Sequence, residues 1–153
     1  MPYTCEVHPQ TAVPVLSMRS RILAQALPDF LGKAYSGIFQ YLAELGESPA
    51  GFPFVAYYNM DMHDLDVEAG FPVSKPLPGR DEILAGALPE GMVAETIYTG
   101  PYQEMGPAYE ELTHWMQENG HEASGVVYEF YLNDPAQVSP EQLQTQIVFV
   151  LKA

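Results

Sequence analysis

Apolar residues recur along this chain with two periods, and the change of period marks its elements. Ala34, Ile38, Tyr41, Leu42 and Leu45 stand at i, i+4, i+7, i+8 and i+11, which predicts one buried helical stripe. Ala108, Leu112, Trp115 and Met116 repeat it further on. Gly46 and Gly120 follow these stripes, where a helix end favours a left-handed residue. Around the stripes the pattern turns to strands. AVPVLSMRSRI (12–22) and MVAETIYTG (92–100) precede the helices, and FPFVAYY (52–58) and VVYEFYL (126–132) follow them. Turns rich in Asn, Asp and Pro then lead to LDVEAGFPV (65–73) and LQTQIVFVL (143–151).

The two halves are copies of one unit. Residues 31–59 align with residues 105–133 at a constant offset of 74, with no gap. Gly32, Ala34, Tyr35, Glu44, Gly46, Gly51, Tyr57 and Asn59 meet identical residues, eight matches where chance gives about two. The predicted fold is α+β, a strand–helix–strand–strand module used twice. Module one spans about 3–75, a Pro-containing linker about 76–90, and module two about 91–153. One helix covers one face of a small antiparallel sheet, so two such modules are expected to be pseudo-twofold related around a central cleft.

Glu129 interrupts that scheme, because a carboxylate stands in a run of aromatic and branched residues. Alternation puts Val127, Glu129 and Tyr131 on one strand face and Val126, Tyr128, Phe130 and Leu132 on the other. The second row is wholly apolar or aromatic and is expected to pack under its own helix. Glu129 would then point away from that helix, toward the junction of the modules. Its repeat partner is Val55, so the duplicated backbone does not require an acid here. A carboxylate among aromatic side chains must be paired, hydrogen-bonded or protonated. It could await a cationic or donor ligand flanked by ring faces. It could equally lie in water on an edge strand, or be linked to Arg19, Arg21 or Arg80.

Composition narrows the function. Of 153 residues 47% are apolar, enough for a folded core, and the net charge is −14 from 20 acidic and 6 basic residues. So few basic residues make no footprint for a phosphate backbone or an anionic membrane, so direct nucleic-acid and membrane binding are not expected. The ten Tyr suit a ligand pocket, and they equally suit strands. One cysteine, Cys5, allows no intrachain disulfide, and no charged-then-apolar leader or membrane-length apolar run occurs. A soluble, cytoplasmic protein is expected. His63 lies among Asp61, Asp64 and Asp66, a set that a turn in an acidic protein also produces, and no metal or cofactor is expected. The serines and Cys5 sit in no nucleophile-elbow pattern.

YEFYLNDP (128–135), preceded by AYEELTHWMQENGHEASG (108–125), resembles the GyrI-like effector-binding domain, above all in its Glu–x–Tyr–x–Asn–Asp–Pro run. The resemblance covers essentially the whole chain, duplication and linker included. That family occurs alone or behind DNA-binding regions in multidrug-sensing regulators of the AraC and MerR classes. The resemblance implies a pocket in which an acid, mapping onto Glu129, meets a small lipophilic, cationic molecule among aromatic rings. Tyr57 and Tyr131 are the foremost ring candidates, sharing strand faces with Val55 and Glu129. Tyr35 and Tyr109 lie beside the helical stripes, and Trp115 lies on one. No helix-turn-helix precedes the first module, so the resemblance implies a solitary binding or sequestering protein. Two alternatives stand beside it. One is a small hydrolase with Glu129 as general base and Tyr131 or Tyr109 as hydrogen-bond donor. The other is a protein-interaction module whose acidic surface blocks a DNA enzyme.

Overall fold

The computed structural model describes residues 3–152 and confirms the α+β class. Its elements run β1 (Glu6–Gln10), β2 (Val13–Ile22), α1 (Leu27–Glu44), β3 (Phe54–Tyr57), β4 (Leu65–Pro72), β5 (Leu84–Leu88), β6 (Gly91–Thr99), α2 (Gly106–Glu118), β7 (Ala123–Tyr131) and β8 (Gln144–Leu151). The strand–helix–strand–strand plan appears twice, as β2–α1–β3–β4 and β6–α2–β7–β8. No helix among the described residues is long and apolar enough to cross a membrane.

The chain divides into two compact units. One is Thr11–Pro89; the other joins the residues up to Gln10 to those from Glu90 onward. The first unit orders its antiparallel strands β3-β4-β2-β5, with one helix, α1. Ala34, Ile38, Tyr41 and Leu42 of α1 are buried, and they pack with Leu16, Met18, Ala69 and Phe71 of the sheet. The second unit orders its strands β1-β6-β8-β7. Here Ala108, Leu112 and Met116 of α2 pack with Ala94, Tyr98, Ile147 and Phe149. Full burial of each Leu, Ile or Met side chain among these stabilises its unit by about 1.5–3 kcal/mol.

Both helices close as their patterns predict. Gly46 (φ 71°) follows α1 and Gly120 (φ 75°) follows α2. The next amide reaches back to the helix in both, Glu47 N–H to Leu42 O at 2.8 Å and His121 N–H to Met116 O at 2.9 Å. This is the six-to-one bond of a Schellman motif, which a left-handed glycine makes strain-free.

Two strands lie outside the expected plan. β1 lies within the expected span of module one but pairs with β6, Glu6 opposite Glu95, in the second unit. β5 lies in the expected linker and pairs with β2, Val13 opposite Leu88. Each is the outer neighbour of the strand that begins its repeat. β1 carries Pro9 and β5 is mostly exposed. Such short, weakly apolar strands are characteristic of sheet edges, where a missing donor is tolerated.

Candidate functional site

Glu129 lies in the middle of β7, opposite Ile147 of β8, and is only 7% exposed. The predicted alternation holds, but the side is reversed. Ile147 and Phe149 belong to the core under α2, and Val127 packs against it. Glu129 shares that row, so its carboxylate faces α2 rather than pointing away. Tyr128 and Phe130 occupy the other face, where their rings stack with centroids 6.2 Å apart. Hydropathy misassigned the faces because both rows are buried to a similar degree, Tyr128 on one face and Glu129 on the other.

Two phenols hold that acid. Tyr109, in the first turns of α2, donates its hydroxyl to one carboxylate oxygen. Tyr131, two residues along β7, donates to the other at 2.9 Å. Burial pushes the Glu129 carboxyl above its ordinary value, and the two hydroxyl bonds oppose that shift without reversing it. None of the ion pairs among the described residues involves Glu129. The three arginines that could have neutralised it are bound elsewhere: Arg19 to Asp66 at 2.9 Å, Arg21 to Asp64 at 2.8 Å, and Arg80 to Glu44 at 3.0 Å. Glu129 is therefore a buried carboxylate with hydrogen-bond donors and no counter-charge among the described residues, a state that favours uptake of a proton or a cation.

The rings around it are fixed from behind. Tyr109 packs on Phe149, with centroids 5.8 Å apart. Tyr131 meets the ring of Tyr102 edge-to-face at 5.5 Å and 64°. Sequence reasoning missed Tyr102, because its repeat position is Pro28 and no periodicity covers the turn it stands on. It missed Thr145 as well. This residue lies opposite Tyr131 and Tyr98 in the sheet, fully buried, with its hydroxyl unpartnered.

The remaining predicted residues fall in two places. Trp115 lies on α2 six residues beyond Tyr109, roughly 9 Å along the axis; it stacks on His121 at 6.0 Å and packs on the second core. Tyr35, Val55 and Tyr57 belong to the first unit, as counterparts of Tyr109, Glu129 and Tyr131. Val55 is fully buried, opposite Ala69. Tyr35 packs on Phe71 at 5.4 Å, just as Tyr109 packs on Phe149, but its hydroxyl donates to the Phe54 carbonyl at 2.8 Å. Tyr57 is half-buried at the end of β3, opposite Val67.

A second carboxylate, Glu68 of β4, is also held by hydroxyls, from Ser17 and Tyr58. Arg19 already lies there, 3.9 Å over the Tyr58 ring and bidentate to Asp66, so an internal cation fills that position. In the turn before β4, Asp61 accepts the His63 backbone N–H at 3.0 Å, and Asp64 is bound by Arg21. These carboxylates order a loop and a strand pair.

Comparison with known proteins gives a family and a set of similar folds. The sequence profile of the GyrI-like small molecule binding domain matches residues 4–152. No curated protein sequence matches the chain. Among solved structures, the C-terminal domain of EcmrR superposes with a TM-score of 0.87 at 19% identity, over 99% of each chain. The chain spans 57% of EcmrR as seen in its DNA complex, at a TM-score of 0.83 and 20% identity. SAV2435, solved bound to tetraphenylphosphonium, has a TM-score of 0.67 at 10% identity, over 100% of this chain and 95% of that one. A structure described as a hydrolase from Listeria innocua has a TM-score of 0.68 at 14% identity, over 97% and 91%.

Proposed function

Because this chain belongs to the GyrI-like small-molecule-binding family, we propose that its ligand is a lipophilic organic cation held against Glu129. The observation that carries this reading is a buried carboxylate bound by two phenols and by no cationic side chain among the described residues. An incoming cation supplies the missing counter-charge. Rings that already surround the acid add cation–π attraction, about 2 kcal/mol for a desolvated contact. A bulky lipophilic cation sheds little hydration on entry, so the balance favours it over a small ammonium ion. SAV2435, which shares the fold, was solved with tetraphenylphosphonium. The biological role that follows is effector binding or sequestration, tied to transcription regulation or to drug or toxin resistance.

Calorimetric titration with tetraphenylphosphonium tests this. Glu129→Gln keeps the shape of the side chain and removes its charge, and it is expected to bind at least tenfold more weakly than the unaltered chain. Equal affinities would rule out the charge role.

A second reading is favoured by the direction of the Glu129 shift. A carboxyl raised toward neutrality suits a general base acting on water, with Tyr109 or Tyr131 as donor to the developing oxyanion. The Listeria innocua relative described as a hydrolase is consistent with it. Incubation with electrophilic small molecules, followed by mass spectrometry, separates the readings. Product formed catalytically and lost in Glu129→Gln supports hydrolysis; stoichiometric binding without product supports binding alone.

A further inference from the structure

Tyr102 opens the short 3-10 turn (Tyr102–Glu104) between β6 and α2. The turn is anchored just upstream, where the buried Tyr98 hydroxyl donates to the Pro101 carbonyl at 2.8 Å. That anchor sets the Tyr102 ring edge-to-face on Tyr131, whose own hydroxyl is bound to Glu129. The three side chains form a row that runs from the buried acid outward. Tyr102 is 36% exposed, whereas Glu129 is 7% exposed, so ring surface of this row is open to solvent. The Tyr102 phenol is raised by burial and then by the negative charges of Asp134 and Glu129. Its ring therefore lies within the negative field of the candidate site.

We propose that Tyr102 is a specificity residue of this site, selecting ligands whose cationic centre carries aryl groups over those carrying alkyl chains. The inference rests on the binding reading above and adds the ligand's substituent to it. An aryl group placed on the exposed part of the ring extends the Tyr131–Tyr102 pair by one more edge-to-face contact. Such pairs add about 0.5–1.5 kcal/mol beyond the area they bury, or roughly twofold to twelvefold in affinity. An alkyl chain buries comparable area against the ring without that term.

The test compares tetraphenylphosphonium with tetrabutylammonium by titration of the full chain and of Tyr102→Ala, Tyr102→Phe and Glu129→Gln. Tyr102→Ala is expected to weaken tetraphenylphosphonium about tenfold and tetrabutylammonium less than threefold. Tyr102→Phe, which keeps the ring, is expected to stay within twofold of the unaltered chain for both. An unchanged affinity in Tyr102→Ala, an equal loss for the two cations, or a Tyr102→Phe as weak as Tyr102→Ala would overturn the proposal. Glu129→Gln reports on the charge reading independently. If it leaves both affinities intact while Tyr102→Ala discriminates, the charge role falls and the selectivity stands. If the unaltered chain binds neither cation, both fall.

Discussion

Tyr109 on α2 donates its hydroxyl to Glu129 on β7, joining helix and strand through a buried polar contact across 20 positions of sequence. Its counterpart Tyr35 makes a different bond, to the backbone carbonyl of Phe54, beside an apolar Val55. One duplicated ring thus supports backbone in the first unit and presents an acid in the second.

Removing that donor leaves a carboxylate oxygen buried with one partner fewer. Tyr109→Phe is expected to cost about 1–3 kcal/mol at neutral pH, measured by urea denaturation. The same change raises the Glu129 carboxyl further, because the lost bond favoured the charged form. NMR titration of the Glu129 side chain reads that second effect.

The Tyr35 bond has a neutral backbone acceptor, so Tyr35→Phe is expected to lose about 1 kcal/mol. Tetraphenylphosphonium affinity should stay within twofold. A large loss of binding would show that this hydroxyl serves the ligand as well as the backbone.

Glu129 also sets a pH dependence. Its folded-state carboxyl is raised above the ordinary 4.5, so folding takes up a proton between that value and the folded one. The stabilisation it contributes is complete below pH 4.5 and is lost as pH rises through the folded value. Glu129→Gln removes this loss. The stability of Glu129→Gln relative to the unaltered chain should therefore increase as pH climbs above 4.5. Paired denaturation curves across that range check it, and a flat difference would contradict the burial of the charge.

Backbone crowding governs Gly70 on β4. A methyl group there would fall on the Leu16 carbonyl and within 2.8 Å of Ser17 Cα across the strand pair. Gly70→Ala is expected to cost about 3 kcal/mol or more, because backbone must move. Thermal unfolding measures the loss.

The unpartnered hydroxyl of Thr145 makes the opposite prediction. Thr145→Val replaces a buried polar atom that has no bond by a methyl group. It should be neutral or stabilising by about 1 kcal/mol in urea denaturation.

The sequence made the repeat, both helices and six strands legible, because each apolar stripe has one period and each helix ends on a glycine. It also singled out Glu129 by its mismatch with Val55. It did not reveal which way Glu129 faces. Both rows of β7 carry aromatic and branched residues, so hydropathy assigns the acid outward and the apolar row inward. Only the donors on α2 and β7 make the inward placement affordable. Tyr102 was hidden for another reason: it lies on a turn, where neither period nor repeat constrains it. β1 and β5 were hidden because edge strands need little apolar pattern.

The placement of β1 bears on how the polypeptide matures during synthesis. Glu95, the partner of Glu6, leaves the ribosome roughly ninety residues after it. The intervening segment, Thr11–Pro89, holds its full set of strands and its helix before that partner emerges. β1 can therefore take its place beside β6 only after the whole of Thr11–Pro89 has been made. The second unit, the one that holds Glu129, is therefore closed by strands from both sides of the first.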